Sequence, residues 1–306
     1  MAFSVLDACV SSGRVLLFDG ALGTELLRRG LTSAGSAESL NLNHPEAVRR
    51  VHLDYFEAGA DAVSTNSFGA NRLKLSDFGM EGKAPEINRA AAAVAVGARP
   101  SGRFVAGSMG PTGRLLRPYG GFREEEFETA FAEQAEALAE GGIDFLILET
   151  HYDLREALCG LRAALRAVNL PVFVTMTFKR TPRGFFTFMG DTPAACLRAL
   201  EEAGASAVGA NCSLGPEDMV ELVRVMRPLT RLPVMAQPNA GQPVVAADGS
   251  FAYLETPEDF ARHAPGLLEA GADIIGGCCG TTPEHIRLMS ASLGDRRKAG
   301  RSASGG

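Results

Sequence analysis

Three cysteines, Cys212, Cys278 and Cys279, are the residues whose type and spacing most directly predict chemistry in this sequence. Each follows an apolar run that ends in small residues, ASAVGAN before the first and ADIIGG before the adjacent pair. Cysteine thiolates bind zinc, and three protein ligands leave one position of the zinc tetrahedron open for a substrate. The three cysteines therefore predict a catalytic zinc site.

The adjacent pair needs a bent backbone, because consecutive residues of a regular strand point to opposite faces. Gly276, Gly277 and Gly280 flank the pair and give the chain that freedom. Two other interpretations of the residues alone stay open. Free cysteines are often small buried apolar side chains, and Cys278 and Cys279 could form a strained disulfide with each other. The third cysteine and the flanking glycines favour the metal site.

Two carboxylates stand at comparable positions in the sequence. Asp19 follows the run RVLLF, and Glu149 follows the run DFLIL. Carboxylates at the mouth of a fold can bind an ammonium group through charge-assisted hydrogen bonds. The alternatives are a helix cap for Asp19 and a structural ion pair for Glu149. His151, two residues further on, is open to interpretation as a base, a ligand or a hydrogen-bonding loop residue.

A recurring phrase shows which elements must position these residues. It appears as EAGADAVSTN, EGGIDFLILET, EAGASAVGANC and EAGADIIGGCC, at residues 57–66, 140–150, 202–212 and 269–279. In each copy a helix is predicted to end at a glycine, which suits a left-handed cap. The apolar run that follows is typical of a short strand buried on both faces.

Four more apolar runs lie between these copies, so that eight strands are predicted to begin near residues 14, 61, 103, 144, 171, 206, 233 and 272. Helical patterns separate the strands, and several helices open with a threonine cap followed by proline, as at Thr192 and Thr256. This alternation predicts an α/β fold, a (β/α)8 TIM barrel. A doubly wound open sheet is less favoured, because no glycine-rich dinucleotide motif is present. We expect one barrel domain over residues 1–294 and a disordered tail over 295–306.

The bulk properties exclude several classes of protein. The 306 residues carry a formal net charge of −6, which argues against nucleic acid or an anionic membrane as the partner. No apolar run reaches the ~18 residues of a membrane span, and the start of the chain lacks a secretory signal. Six cysteines in a chain of this length do not form the pattern of a disulfide framework. We therefore expect a cytoplasmic protein.

Together, the motifs resemble those of the homocysteine S-methyltransferase family. The likeness rests on FDGALGTELLRRG, HLDYFEAGADAVSTNSFGAN, GSMGPTG, LETHYDLREAL, GANCSLGPE, PNAGQP and GGCCGTTPEHI, which occur in order from about residue 14 to 290. Within the family, the chain is most similar to the homocysteine-binding modules of cobalamin-dependent methionine synthases. The combination of NC with GGCCG is the most specific part of the resemblance.

The resemblance implies a role for each candidate residue. Cys212, Cys278 and Cys279 would hold Zn²⁺ and, through it, the reacting thiol. Asp19 and Glu149 would bind the amino group of homocysteine. The resemblance also gives a role to Asn239, which matches a residue that can take the fourth zinc position in the absence of substrate. The implied activity is transfer of a methyl group to the thiolate of homocysteine, which gives methionine.

The methyl donor is a separate question. The resemblance implies methylcobalamin on a separate corrinoid-binding protein or domain, and S-methylmethionine or another small donor is the alternative. The betaine-dependent branch has a tyrosine directly after the glutamate, where this chain has Thr150. The folate, cobalamin and activation domains of methionine synthase have no counterpart in these 306 residues. The chain is therefore expected to be a fragment, a subunit of a split enzyme or a free-standing methyltransferase, with a non-catalytic homocysteine- and zinc-binding subunit as a further alternative.

Overall fold

The computed structural model describes residues 14–31, 35–245 and 251–294 of the chain. Eight parallel strands form its centre, each within or close to a run predicted from the sequence. These barrel strands are β1 (Leu16–Leu17), β2 (Ala62–Ser64), β3 (Phe104–Met109), β4 (Phe145–His151), β5 (Val172–Met176), β6 (Ala207–Asn211), β7 (Val234–Gln237) and β8 (Ile274–Ile275). The prediction of eight strands is confirmed.

The strands follow one another around the barrel in chain order. The hydrogen-bonded order is β1-β8-β7-β6-β5-β4-β3-β2, with every neighbouring pair parallel. A parallel bridge between Phe18 and Ala62 joins β1 to β2 and completes the circle. The predicted (β/α)8 TIM barrel is therefore confirmed, and the open-sheet alternative is wrong.

Helices connect the strands and cover the outside of the barrel. They are α1 (Leu22–Arg28), α2 (Leu40–Asn43), α3 (Pro45–Glu57), α4 (Arg72–Leu75), α5 (Ala84–Ala98), α6 (Glu124–Glu140), α7 (Leu154–Ala167), α8 (Pro193–Glu202), α9 (Pro216–Met226), α10 (Pro257–Arg262), α11 (Ala264–Ala270) and α12 (Pro283–Leu293). The hydroxyls of Thr192 and Thr256 cap α8 and α10 as predicted, each accepting a backbone hydrogen bond. Within the described ranges, no helix is long and apolar enough to cross a membrane. The prediction for residues 295–306 lies outside the described residues.

Two antiparallel hairpins extend the carboxyl end of the barrel. The first pairs Lys179–Thr181 with Gly184–Phe186 after β5, and the second pairs Pro243–Val245 with Phe251–Tyr253 after β7. Both lie in βα connections, which in this fold are the segments that surround the functional end.

The interior of the barrel is a closed apolar layer. Side chains that alternate along the strands meet there, because successive residues of a strand face opposite sides. The members of this cluster are Leu16, Phe18, Ala62, Phe104, Ala106, Phe145, Ile147, Phe173, Ala207, Met235 and Ile274. The rings of Phe145 and Phe173 pack with centroids 4.6 Å apart. The residues between them along each strand pack outward against the helices.

One step beyond this layer, the inward-facing positions become polar. Further along the same inward-facing side, buried or half-buried polar side chains stand at the carboxyl end of six strands. These are Ser64, Ser108, Glu149, Thr175, Asn211 and Gln237. The apolar layer thus forms a floor, and the polar layer lies at the end where barrel enzymes place their active sites.

The first part of the recurring phrase, up to the start of the strand, lies at the opposite end of the barrel. Its four glycines, Gly59, Gly142, Gly204 and Gly271, all have positive φ, which confirms the predicted left-handed caps. The polar residue two positions later accepts a hydrogen bond from a backbone N–H of the preceding strand. The four pairs are Asp61 with Leu17 N–H, Asp144 with Val105 N–H, Ser206 with Val172 N–H and Asp273 with Val234 N–H. Each even-numbered strand is thereby joined at its base to the strand before it.

We expect Gly209→Ala to destabilise the barrel. A Cβ on this β6 residue would lie 2.1 Å from the backbone oxygen of Met235, which belongs to the neighbouring strand and cannot turn aside. Overpacking of this kind costs about 1–3 kcal/mol. The control is Gly97→Ala in α5, where a Cβ meets nothing within 4 Å and alanine is about 0.5–1 kcal/mol better than glycine. Urea unfolding of both variants checks this, and equal stabilities would contradict it.

Candidate metal and substrate site

A cavity of about 390 Å³ lies on the polar end of the barrel. Apolar side chains of α1 and of the loop after β2 form part of its wall, namely Leu22, Leu27 and Phe68. Its acidic and thiol lining residues are Asp19, Glu38, Glu149, Cys212, Cys278 and Cys279. No arginine, lysine or histidine is among the described residues that line it. The cavity is therefore acidic and suits a cationic group.

The three predicted cysteines converge in this cavity. Their sulfur atoms lie within 4.8 Å of one another, and the Sγ atoms of Cys212 and Cys279 are 3.8 Å apart. All three are free thiols, so the disulfide interpretation of the adjacent pair is not what the structure shows. A zinc ion with tetrahedral Zn–S bonds of about 2.3 Å holds its sulfurs about 3.8 Å apart. The spacing of the thiols therefore fits zinc.

The local backbone explains how adjacent cysteines reach one point. The N–H of Cys278 donates to the carbonyl of Pro238, and the carbonyl of Cys279 accepts from the N–H of Ala240, so both peptide groups are fixed to the loop after β7. Gly280 has φ of +82°, and a Cβ there would lie 2.2 Å from the ring of Tyr253. The predicted need for glycine beside the pair is thus met by a left-handed turn and a close approach.

The thiols interact strongly with one another. Hydrogen bonding from Cys212 and Cys278 lowers the pKa of Cys279, and hydrogen bonding with its two neighbours raises the pKa of Cys278. The three groups therefore titrate as one set, in which a single thiolate forms easily and further thiolates repel it. A divalent cation removes that repulsion, which is why such a cluster favours metal binding.

Asp19 and Glu149 face the same cavity as the cysteines. Asp19 accepts a hydrogen bond from the N–H of Ser64 (2.8 Å), and Glu149 accepts one from the hydroxyl of Ser108. Burial raises the pKa of Asp19 well above its usual value, and the Glu149 carboxylate adds to the rise. Burial also raises the pKa of Glu149 to about 7, with a contribution from the thiolate of Cys279. Both carboxylates thus lack a cationic partner in the cavity.

An irregularity in β4 directs Glu149. The strand register shifts between Leu148 and His151, and Thr150 has φ of +64°. Such a bulge re-aims side chains, so Glu149 and Thr150 both line the cavity although they are consecutive. His151 is then turned away from the cavity: it is fully buried and its ring packs on Phe131. Its interpretation as a base or ligand at the mouth is wrong for this reason.

Asn239 does not line the cavity, in contrast to the other candidates. It is buried, and its N–H donates to the carbonyl of Leu214, two residues beyond Cys212. Its Oδ1 atom is buried without a hydrogen-bond partner among the described residues. The next residue, Ala240, is the one that binds the carbonyl of Cys279. A role for Asn239 at the metal stays a prediction.

Several lining residues were not selected from the sequence. Ser64 and Gln237 belong to the polar layer, and counting in steps of two from the apolar positions of β2 and β7 would have found them. Glu38 comes from a turn between α1 and α2 and accepts a hydrogen bond from the N–H of Gly69 (2.7 Å). No periodicity marks Glu38, because its position depends on how this turn packs on the loop after β2.

Comparisons with known proteins agree with this geometry. The sequence profile of the homocysteine S-methyltransferase family matches residues 16–293. The methionine synthase of Mycobacterium tuberculosis is 36% identical over 96% of this chain, and that of Mycobacterium leprae is 36% identical over 92%. The chain spans only about a quarter of the length of these relatives, 26% and 24% respectively.

Among solved structures, the chain is similar to the homocysteine methyltransferase MmuM of Escherichia coli. The oxidised form of MmuM has a TM-score of 0.79 and 28% identity, and the match covers 94% of this chain and 98% of MmuM. The metallated form has a TM-score of 0.78 and 27% identity. The carboxyl transferase domain of Rhizobium etli pyruvate carboxylase, at 15% identity and a TM-score of 0.52, shares the fold alone. By its sequence profile and its relatives, this chain belongs to the homocysteine S-methyltransferase family.

Proposed function

We propose that the protein transfers a methyl group to the thiolate of homocysteine to give methionine, at a zinc ion held by Cys212, Cys278 and Cys279. The observation that carries the proposal is the convergence of the three sulfur atoms within 4.8 Å. They share one acidic cavity with Asp19 and Glu149. Zinc, when bound, is a Lewis acid that lets an added thiol lose its proton at neutral pH. The solved metallated form of MmuM supports a metal site in this fold.

The cysteines and Asn239 would together supply the protein ligands of the metal. Three thiolates fill three ligand positions and leave the fourth to substrate. The unpartnered Oδ1 atom of Asn239 is a suitable fourth ligand before substrate arrives, because a buried carbonyl oxygen without a hydrogen bond is unfavourable. Its loop is hydrogen-bonded to Cys279 through Ala240, so a small movement of that loop would bring the oxygen to the site or take it away.

The carboxylates orient the substrate. The ammonium group of homocysteine would supply the positive charge that Asp19 and Glu149 lack, and both carboxylates would then be ionised. With the amino group held in this way, the sulfur of homocysteine would lie towards the cysteines, which line the same cavity. In the reaction a carbon–sulfur bond forms, and the bond between methyl and donor breaks with its electron pair going to the donor. No side-chain base is required once the thiol proton has been lost.

For the donor, we propose methylcobalamin carried by a corrinoid-binding protein or domain. The support is the 36% identity with two methionine synthases. A second candidate is a small sulfonium such as S-methylmethionine. It is favoured by the acidic cavity without a lining cation and by the likeness to MmuM over nearly the whole of both chains. A polyanionic donor would be repelled by the same carboxylates.

The metal proposal predicts about one zinc per chain in purified protein. Cys212→Ala removes one of three ligands, so we expect zinc to be lost and turnover with it. Cys196→Ala is the matched control, because this cysteine is a free thiol buried in α8 away from the cavity. Elemental analysis by mass spectrometry and a methionine assay measure both quantities. Full methyltransferase activity in wild-type protein stripped of zinc would contradict the proposal.

The role of Glu149 predicts a pH dependence of ligand binding. Its pKa of about 7 means that a proton occupies the carboxyl below neutral pH and removes the charge that attracts ammonium. Binding of methionine, which has the ammonium group but no ionisable thiol, should therefore strengthen as pH rises through 7, as long as its amino group stays protonated. Below pH 7, affinity should fall by up to about tenfold per pH unit. Calorimetric titration of wild type and Glu149→Gln checks this.

Glu149→Gln should bind methionine weakly at every pH while it keeps its zinc. A wild-type affinity in this variant, or an unchanged pH profile, would show that Glu149 does not hold the ammonium group.

The donor proposal predicts methionine formation from homocysteine and free methylcobalamin. Parallel assays with S-methylmethionine test the second candidate under the same conditions. Loss of the methyl–cobalt absorption and chromatographic detection of methionine measure the first reaction. Turnover with S-methylmethionine alone would replace the corrinoid proposal, and turnover with neither would favour a non-catalytic binding subunit.

A further inference from the structure

Asn211, the last residue of β6, has a side-chain amide that lies between two parts of the proposed site. It is fully buried. Its Oδ1 accepts hydrogen bonds from the N–H of Thr150 (2.8 Å) and the hydroxyl of Thr175 (2.8 Å). Its Nδ2 donates to the hydroxyl of Thr150 (2.7 Å) and to the Sγ of Cys278 (3.7 Å). A primary amide offers two donors and two acceptor sites, and all four are used here.

We infer that Asn211 is a positioning residue that holds the substrate-binding end of β4 in register with the metal ligands. This inference rests on the proposed function. Thr150 directly follows Glu149 and has the left-handed backbone that threonine rarely adopts. The amide satisfies both the N–H and the hydroxyl of Thr150, so it supports the strained turn that makes Glu149 and Thr150 face the cavity together.

The second hydrogen bond of Nδ2 acts on the metal centre. Three thiolates around one divalent cation leave a net negative charge, and an N–H donor to one of the sulfurs stabilises it. Donation also draws electron density from that sulfur, so the amide tunes Cys278 as a ligand. Because one amide makes both contacts, a shift of Cys278 is transmitted to the turn beside Glu149. A shift of that turn is transmitted to Cys278 in the same way.

The test uses the full chain loaded with Co²⁺, whose absorption reports thiolate coordination directly. In Asn211→Asp an acceptor oxygen replaces the N–H that faces Cys278, and in Asn211→Ala all four hydrogen bonds are lost. We expect the thiolate-to-cobalt charge-transfer band to move to lower energy in both. We also expect the dissociation constant for homocysteine to rise at least about tenfold in Asn211→Ala, since the turn that directs Glu149 is released.

Asn88 supplies matched controls, Asn88→Asp and Asn88→Ala. It is another fully buried asparagine, and its Nδ2 donates to the carbonyls of Ala70 and Ala84, which do not line the cavity. These controls should lose stability but keep the cobalt band and the homocysteine affinity of wild type. A change of the same size in the Asn88 variants would mean that Asn211 acts only through stability.

A folded Asn211→Ala protein with a wild-type cobalt band and wild-type homocysteine affinity would overturn the inference. If neither Asn211 variant folds, Thr150→Val decides, because a methyl group there replaces only the hydroxyl that Nδ2 contacts. It should weaken homocysteine binding severalfold at an unchanged melting temperature, and unchanged binding contradicts the inference. A wild-type protein without any cobalt–thiolate band would instead contradict the proposed metal site.

Discussion

Three thiol groups held within 4.8 Å of one another are the constraint on which the rest of the structure depends. Thiolates at this distance repel one another, so the protein must hold them together by its backbone structure. It does so from two strands, β6 and β8, that are separated by β7. Cys212 itself has φ of +62°, and the pair Cys278–Cys279 sits in a glycine turn hydrogen-bonded to the loop after β7. The strain is concentrated where the sulfurs meet.

The same constraint explains the character of the surrounding cavity. The lining carries carboxylates and thiols but no basic side chain among its described residues. Burial raises the pKa of Asp19 and of Glu149, so both carboxyls favour the neutral form more than exposed carboxyls do. Two cations would complete the site, a metal for the sulfurs and an ammonium for the carboxylates. The cavity therefore holds acidic groups without cations: its cysteines would bind a metal ion, and its carboxylates would bind an ammonium group.

The sequence predicted the barrel, the eight strands and the residues at their ends, because these follow from apolar runs and glycine caps that are local in the chain. It also placed Asp19, Glu149 and the three cysteines, which lie together in one cavity as expected. The errors concern side-chain direction. The orientation of His151 depends on a bulge in β4, and bulges leave no reliable mark in periodicity. Glu38 was missed because tertiary packing alone brings its turn to the cavity.

The hydrogen bonds at the base of the barrel have a mechanical consequence for its opposite end. Asp144, Ser206 and Asp273 join β4, β6 and β8 to the strands before them. Glu149 lies near the end of β4, Cys212 directly follows β6, and the adjacent cysteine pair follows β8. A strand cannot shift in register against its neighbour without breaking the hydrogen bond at its amino end. These bonds therefore fix the position of each functional group along the barrel axis, relative to the apolar layer. A ligand that enters the cavity must therefore fit the spacing that the register of these three strands sets.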